Sequence, residues 1–93
     1  GNIKGVTRHA PPEVSSDEEF EVTLTIDGNL PLIFGINETI PTGFTFVSTT
    51  CDYYSVSGQT VAFAGINVTE IKYRVKAPSS GEGTFSGNWV DML

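Results

Sequence analysis

Residues 19–26 read EFEVTLTI and contain the clearest structural signal of the chain. Phe20, Val22, Leu24 and Ile26 alternate with Glu and Thr, so every second side chain is apolar. Side chains of a β-strand point alternately to opposite faces of a sheet, and this period of two therefore predicts a half-buried strand.

The same alternation recurs along the rest of the chain and is interrupted by Gly, Pro and Asn. Proline has no N–H to donate to a ladder, and Asp-Gly-Asn at 27–29 tolerates the positive φ of a turn. No helical period persists for more than one turn. Further strands are predicted over 6–8, 32–37, 44–50, 53–57, 60–64, 71–76 and 83–91. In the second of these, Leu32, Phe34 and Ile36 are expected on one face, and Ile33, Gly35 and Asn37 on the other.

A hairpin is predicted around the 58–59 dipeptide. A two-residue loop there pairs Val56 with Val61 and Tyr54 with Phe63 on one face. Moving the loop back by one residue keeps the same parity, so the sequence does not choose between these registers. A three-residue loop would place apolar residues opposite polar ones and is less favoured.

Strands at intervals of about 8–12 residues are typical of an all-β, immunoglobulin-like antiparallel β-sandwich with Greek-key connections and about 7–8 strands. Ninety-three residues make one domain, 1–93, with no internal repeat. We expect this module to belong to a longer multidomain protein.

The composition limits the classes of function that are expected. The apolar fraction of 39% is enough for a core, and the net charge of −6 argues against a nucleic-acid partner, which needs a cationic surface. Cys51 is the only cysteine, so no internal disulfide can form. No run of about 18 apolar residues is present, so membrane insertion by this domain is not expected.

The segment FGINETIPTGF, residues 34–44, resembles the "ETLPEGFTFVS" centre of modules in cell-surface and S-layer-associated proteins of methanogenic archaea. Flanking segments similar to that family lie at 8–12, 19–24, 73–78 and 83–87. The chain departs from many relatives at Ser16-Asp17, where they have Pro-Gly. The resemblance implies an extracellular, immunoglobulin-like building block without enzymatic activity, and it supplies no binding residues.

No catalytic residue is predicted. A Cys–His nucleophilic pair needs contact between His9 and Cys51 and an orienting third group, and no Gly-x-Ser-x-Gly is present. His9 is interpreted as a surface or edge residue. Cys51 is interpreted as a small buried or half-buried apolar residue, with an intermolecular thiol as the alternative. We predict a protein that is not an enzyme and uses no cofactor.

Two charge clusters have a structural and a functional interpretation. The acidic run 17–19 with Glu21 lacks the spacing of a calcium loop, so it is interpreted as a solvated cluster protecting a sheet edge, with a weak ion site as the alternative. Lys72, Arg74 and Lys76 form a basic stripe on one face of a strand. Cross-strand pairing with carboxylates is favoured for this stripe, and docking of an acidic module or anionic glycan is the alternative.

Asn37-Glu38-Thr39 and Asn67-Val68-Thr69 are glycosylation sequons. Five Asn with 19 Ser and Thr give about one sequon by chance, so geometry must decide. Asn37 has the parity opposite to the apolar face and Asn67 lies in a predicted loop, so both are candidate glycosylation sites.

Tyr73 stands where immunoglobulin-like domains have a tyrosine corner, whose hydroxyl bonds to upstream backbone. The competing interpretation is a core aromatic with its hydroxyl at the rim. Trp89 is a candidate for partner contact, or else it caps the core. Tyr53, Tyr54 and Trp89 would form a sugar-stacking platform if the fold brought them together.

The favoured function is a non-catalytic structural or adhesive module at an archaeal cell surface, acting through contacts with neighbouring modules or other surface proteins. The alternatives are a carbohydrate-binding module with a glycan ligand, which needs exposed aromatic rings on one face, and an accessory domain of a secreted enzyme.

Overall fold

The computed structural model describes residues 3–29 and 33–92, which form eight β-strands in two antiparallel four-stranded sheets. The first sheet has the order β1-β2-β7-β4 and the second the order β5-β6-β3-β8. The predicted antiparallel β-sandwich of about eight strands is confirmed. The strands are β1 (Ile3–His9), β2 (Glu19–Gly28), β3 (Ile33–Thr39), β4 (Thr45–Thr49), β5 (Tyr53–Ser57), β6 (Thr60–Ile66), β7 (Glu70–Lys76) and β8 (Ser86–Asp91).

The chain passes between the sheets at most of its connections. Only β1–β2 and β5–β6 are hairpins within one sheet, and the other five connections cross over. The second sheet differs from the C-F-G order of an immunoglobulin domain, because β3 lies between β6 and β8 instead of at an edge. The two-residue β5–β6 loop forces those strands to be neighbours, and together they extend the sheet beside β3.

The core lies between the sheets and consists of the apolar residues with inward parity. The 19–26 stretch behaves as predicted, with all four of its apolar side chains buried and its Glu and Thr residues on the outer face. Burial of each large apolar side chain contributes roughly 1.5–3 kcal/mol. The buried apolar residues are Ile3, Phe20, Val22, Leu24, Ile26, Phe34, Ile36, Ile40, Phe44, Val61, Phe63, Ile71, Tyr73, Val75 and Ala77.

Several strand limits differ from the prediction. The first strand spans Ile3–His9 instead of 6–8, β2 continues through the predicted 27–29 turn to Gly28, and the last strand begins at Ser86 instead of 83. The 83–85 segment leaves the ladder because Phe85 packs edge-on against Phe20 and Phe44, with ring centroids 6.2 and 5.8 Å apart. The placement expected for Leu32 lies outside the described residues.

The β5–β6 hairpin adopts one of the two registers that the sequence left open, with Tyr54 opposite Phe63 and Val56 opposite Val61. Gly58 has φ +59°, which fits the first loop position of a type II′ turn. The side chain of Gln59 then fastens the turn to the β3–β4 connection. Its Nε2 donates to the carbonyl oxygens of Ile40 (3.3 Å), Pro41 (3.0 Å) and Phe44 (3.0 Å).

Within the described residues no helix is long and apolar enough to cross a membrane.

Candidate functional site

The outer face of the second sheet carries no charged side chain among the described residues that point outward from it. We call it the neutral face. In a chain with 16 charged residues, a four-stranded surface without one is unusual. The face comprises Tyr53, Ser55 and Ser57 of β5, Thr60, Ala62, Ala64 and Ile66 of β6, Ile33, Gly35, Asn37 and Thr39 of β3, and Ser86, Asn88 and Val90 of β8, with Met92 just beyond.

The chemistry of the neutral face changes along the strands. One cross-strand row is mainly apolar and runs Tyr53–Ala64–Gly35–Val90. The next row, Ser55–Ala62–Asn37–Asn88, adds two amides. The third, Ser57–Thr60–Thr39–Ser86, consists of hydroxyls. A molecule lying across the face would therefore meet an apolar strip and hydrogen-bonding groups side by side.

A shallow open groove of about 400 Å³ crosses this face. Its floor is made of the small residues Gly35, Ala62 and Ala64, and its walls are Tyr53 on β5 and Val90 with Met92 on the other side. A Cβ at Gly35 would lie 2.6 Å from the Met92 methyl carbon, so the glycine leaves room for the Met92 side chain to pack across β3. Tyr53 is 59% exposed and its ring is available to a ligand.

The outer face of the first sheet is charged and holds the predicted basic stripe. Lys72 Nζ lies 3.7 Å from Glu21 and 3.8 Å from Glu70, and Arg74 Nε lies 3.5 Å from Glu19. The pairs with Glu21 and Glu19 are the cross-strand pairing that the sequence favoured, whereas Glu70 lies on the same strand as Lys72. Exposed pairs of this kind contribute about 0–1 kcal/mol each. Docking through Lys72, Arg74 and Lys76 stays a prediction.

The acidic run does not protect a sheet edge, and that interpretation was wrong. β2 is an interior strand between β1 and β7, so Glu19 and Glu21 face the cations of β7 across the ladder. Glu18 precedes the strand and accepts a hydrogen bond from the Ser15 amide (3.0 Å). In the described part of the chain no three His, Cys, Asp or Glu side chains are grouped to hold a metal ion.

The three aromatic residues of the suggested stacking platform are not brought together. Tyr53 points outward, whereas Tyr54 and Trp89 lie on the core-facing side in the row Tyr54–Phe63–Ile36–Trp89. That row spans the whole sheet, so Tyr54 and Trp89 occupy opposite edges and are 49% and 38% exposed. Partner contact by Trp89 stays a prediction.

The two sequons lie in different settings. Asn37 points outward as predicted, from the middle of the neutral face, and its Nδ2 donates to Asn88 Oδ1 at 3.4 Å. Asn67 is exposed between β6 and β7 with φ +54°, a left-handed conformation that asparagine tolerates. Glycosylation at either residue stays a prediction.

A polar triad around the buried carboxylate of Glu38 joins the two sheets. Arg8 of β1 donates from Nε and Nη2 to the two carboxylate oxygens of Glu38, both at 2.7 Å, and Tyr73 Oη donates to the same carboxylate at 2.6 Å. Glu38 is only 1% exposed. Tyr73 therefore forms no tyrosine corner, and its hydroxyl is not at the rim either. Its hydroxyl binds a carboxylate across the sandwich because β3 places Glu38 directly opposite β7.

The contacts with Glu38 also shift the acidity of Arg8 and Tyr73. The hydrogen bond to Glu38 raises the pKa of the Arg8 guanidinium, and burial followed by the Glu38 hydrogen bond raises the pKa of Tyr73 above its usual value. All described buried side-chain polar atoms have a hydrogen-bond partner. Arg8 and Tyr73 are thus held in the protonated forms that donate to Glu38 and join the sheets, which is a structural role.

Parity in the sequence signalled this triad, although sequence reasoning missed it. Glu38 continues the inward series of Phe34 and Ile36, and Arg8 shares the parity of Val6. An inward carboxylate and an inward guanidinium require each other in a core. Parity does not show which strands of the two sheets face each other across the core.

His9 and Cys51 do not form a nucleophilic pair. His9 is exposed on the edge strand β1, and Cys51 follows β4 at the opposite edge of the same sheet. Cys51 is half-buried against the core, with Sγ 3.2 and 3.3 Å from the carbonyl oxygens of Tyr53 and Ala64. Both residues have the structural settings expected of them.

Comparison with known proteins gives a likeness of fold. No protein-family model matches the chain, and no curated protein sequence matches it. The crystal structure of the chitin-binding domain of a chitinase from Pyrococcus furiosus is similar, with a TM-score of 0.63 and 15% sequence identity. The match covers 95% of this chain and 94% of that one. The β-sandwich described here is thus similar to a module from an archaeal protein, and the archaeal surface-protein family suggested by the 34–44 segment is not shown.

Proposed function

We propose that the protein is a non-catalytic, extracellular carbohydrate-binding module that holds a neutral polysaccharide on the neutral face. The observation that carries the proposal is a four-stranded surface without charge among its described residues, with an exposed Tyr53 ring beside a groove floored by small side chains. This makes the carbohydrate-binding alternative the preferred function, ahead of a structural or adhesive module.

The chemistry of the face suits an uncharged sugar chain. Sugar rings present apolar C–H faces, which favour packing on an aromatic ring, and hydroxyls, which need hydrogen-bond partners. Tyr53 supplies the ring, and Asn88 and Asn37 supply amides one row away. A charged side chain in the groove would lose hydration beneath a neutral ligand without a compensating partner. Because no described residue of the groove is charged, binding a neutral sugar does not incur this desolvation cost.

The solved structure of similar fold supports the same ligand class, because that domain is the chitin-binding domain of a chitinase. The match extends over nearly the full length of both chains, so the two modules share the sandwich as a whole. A neutral, β-linked polysaccharide such as chitin is therefore the first ligand to test. With one ring on the neutral face, we expect binding of single glycan chains more than adsorption to a flat crystalline surface.

A structural role at a cell surface remains the second candidate. The observation in its favour is aliphatic exposure at one end of the neutral face, where Ile66, Val90 and Met92 are each more than half exposed. A neighbouring module could cover these side chains. Such a module would compete for the same face and would not need the Tyr53 ring.

The test is binding of the purified protein to insoluble chitin and cellulose, and to their soluble oligosaccharides by calorimetry. Tyr53→Ala should weaken binding about tenfold or more, the loss expected when a central aromatic contact is removed. Tyr54→Ala is the matched control, because Tyr54 is the adjacent residue with similar exposure but points to the opposite side of the sheet. At low protein concentration, the Tyr54→Ala variant should bind the same saccharides with the affinity of the wild type. Equal affinity of the wild type and Tyr53→Ala, or no affinity for any neutral polysaccharide, would contradict the proposal.

A further inference from the structure

The strand β5 is an edge without the features that normally protect edges. It reads YYSVS, residues 53–57, with no charge, proline, glycine or bulge, and all five residues are exposed. Unpaired edge strands attract other strands, so proteins usually add a charge, a bulge or a cover to them.

The other three edge strands of the sandwich do carry such features. β4 has a bulge between Phe46 and Ser48. β1 has an irregularity between Ile3 and Gly5, and it lies beside β8, where the Ile3 amide donates to Asp91 at 3.1 Å. Because β1 and β8 lie beside each other, each also covers the edge of the other. Of the four edges, β5 is thus the one that can accept a further strand.

The hairpin geometry decides which backbone groups of β5 are free to pair. The residues flanking a two-residue turn, Ser57 and Thr60, form a hydrogen-bonded pair. Hydrogen-bonding direction alternates along a strand, so Tyr53, Ser55 and Ser57 direct their N–H and C=O groups towards β6. Tyr54 and Val56 direct theirs away from the sheet.

The side chains of the same two residues are also incompletely covered. Tyr54 and Val56 lie on the core-facing side of the sheet but are 49% and 48% exposed, because β5 is the last strand. Phe46 of the other sheet reaches Tyr54, with ring centroids 5.7 Å apart, and β5 ends the apolar layer there. Free backbone groups and uncovered apolar side chains thus coincide at residues 54 and 56.

We propose that β5 pairs antiparallel with β5 of a second copy of this chain, about a two-fold axis at Ser55. In this register Tyr54 of each copy faces Val56 of the other. Each of these two residue pairs exchanges two hydrogen bonds through its outward backbone groups, so four form in all. Each Tyr–Val pair closes the open end of the apolar layer. The segment is self-complementary, which is why a second copy, and not an unrelated strand, is the occupant that fits.

Charge and size agree with a reversible dimer. In this register Asp52 comes opposite Gly58, so no like charges face each other along the strand. The long-range repulsion between two chains of net charge −6 is largely screened at physiological salt. A five-residue strand pair is smaller than a standard interface, so we expect association in about the 10 µM to 1 mM range.

The dimer would join the two second sheets into one eight-stranded sheet, with both neutral faces on the same side. This goes beyond carbohydrate binding and does not depend on it. If the face does bind a polymer, two grooves on one surface would raise the avidity for it.

The test is sedimentation velocity, without any glycan, from 10 µM to 1 mM protein in 0.15 M salt. The wild type should shift from monomer to dimer across this range. Val56→Lys places like charges on both copies at the centre of the pairing, and it should weaken association at least tenfold. Val90→Lys is the matched control, because Val90 is 54% exposed on the opposite edge strand of the same sheet. It should dimerise like the wild type.

Hydrogen exchange provides a readout within the strand. The amides of Tyr54 and Val56 should exchange more slowly at 1 mM than at 10 µM, and those of neighbouring residues that already pair with β6 should not change. Thermal melts confirm that both lysine variants are folded. A wild type that stays monomeric at 1 mM, or a dimer that survives Val56→Lys but not Val90→Lys, would overturn the proposal. Because no glycan is present, these outcomes are independent of whether the neutral face binds carbohydrate.

Discussion

Substitution of Tyr73 by Phe removes one hydroxyl from the polar triad around Glu38 and leaves the aromatic ring in the core. Tyr73 is 1% exposed, and its Oη donates to Glu38 at 2.6 Å, the short distance typical of a hydrogen bond to a charged acceptor. The ring also packs against Phe63 with centroids 5.5 Å apart, and Phe retains that contact. The variant therefore isolates the contribution of the hydroxyl.

The expected cost is about 2 kcal/mol at neutral pH, within the range for hydrogen bonds to charged groups. The cost stays below the roughly 3–5 kcal/mol of breaking a buried ion pair, because Arg8 still donates to both oxygens of Glu38. For a domain of this size, 2 kcal/mol corresponds to a decrease in Tm of roughly 8–16 °C.

The cost should also depend on pH. The pKa of Tyr73 is raised in the folded protein, first by burial and then by the hydrogen bond to Glu38, whereas the unfolded tyrosine titrates near 10. Above pH 10 the unfolded chain releases this proton and the folded chain keeps it, so stability falls by about 1.4 kcal/mol per pH unit. The contribution is thus complete below pH 10 and is lost as pH rises. The advantage of the wild type over Tyr73→Phe should shrink to below about 1 kcal/mol at pH 11.

Urea denaturation of the wild type and Tyr73→Phe at pH 8, 9, 10 and 11 measures both effects, and other titrating groups cancel in the difference. Tyr53→Phe, which removes a hydroxyl from an exposed ring, should change stability by no more than about 0.5 kcal/mol. Equal denaturation midpoints for the wild type and Tyr73→Phe at pH 8 would refute the structural role of the hydroxyl. A difference that stays constant from pH 9 to pH 11 would refute the argument from the raised pKa.

Two further substitutions test close packing and loop attachment. In Gly87→Ala the new Cβ would overlap a carboxylate oxygen of Glu38, so we expect a loss of about 1–3 kcal/mol. Gly5→Ala is the control, because its Cβ meets nothing closer than 3.8 Å, and it should be nearly neutral in the same denaturation assay. Gln59→Ala removes all three hydrogen bonds from its side chain to carbonyls of the 40–44 segment, and it should cost about 1–2 kcal/mol with faster hydrogen exchange at the Ile40 amide; an unchanged exchange rate would contradict this attachment.

Much of the fold was predictable, because apolar alternation is a local property that survives in the tertiary structure. The burial pattern of 19–26 follows from parity alone, and parity limits the β5–β6 hairpin to two registers, of which the structure has one. The limits of the strands were less predictable. Phe85 is held by two aromatic rings that are distant in sequence and not by a ladder, and nothing near residue 85 indicates this.

The neutral face was only partly predictable. Parity assigns Asn37 and Gly35 to the outward face of β3 and Tyr53 to the other side of the hairpin from Tyr54. It does not show that β5, β6, β3 and β8 are neighbours, because β3 and β8 are separated by more than forty residues. Without that order, the predicted β5–β6 hairpin cannot be placed beside β3 and β8, and the uncharged outward residues of these strands cannot be recognised as one surface.

The sequence by itself determined that this chain forms strands, which side chains point inward on each, and that one inward face includes a carboxylate and another a guanidinium. Only the tertiary structure decided that Arg8, Glu38 and Tyr73 meet and that the uncharged outer faces of the β5–β6 hairpin, β3 and β8 lie side by side. The physical reason is the sequence separation over which each property is determined. Side-chain alternation depends on the backbone geometry of adjacent residues, whereas strand order depends on the summed packing of two sheets whose contacts join distant parts of the chain.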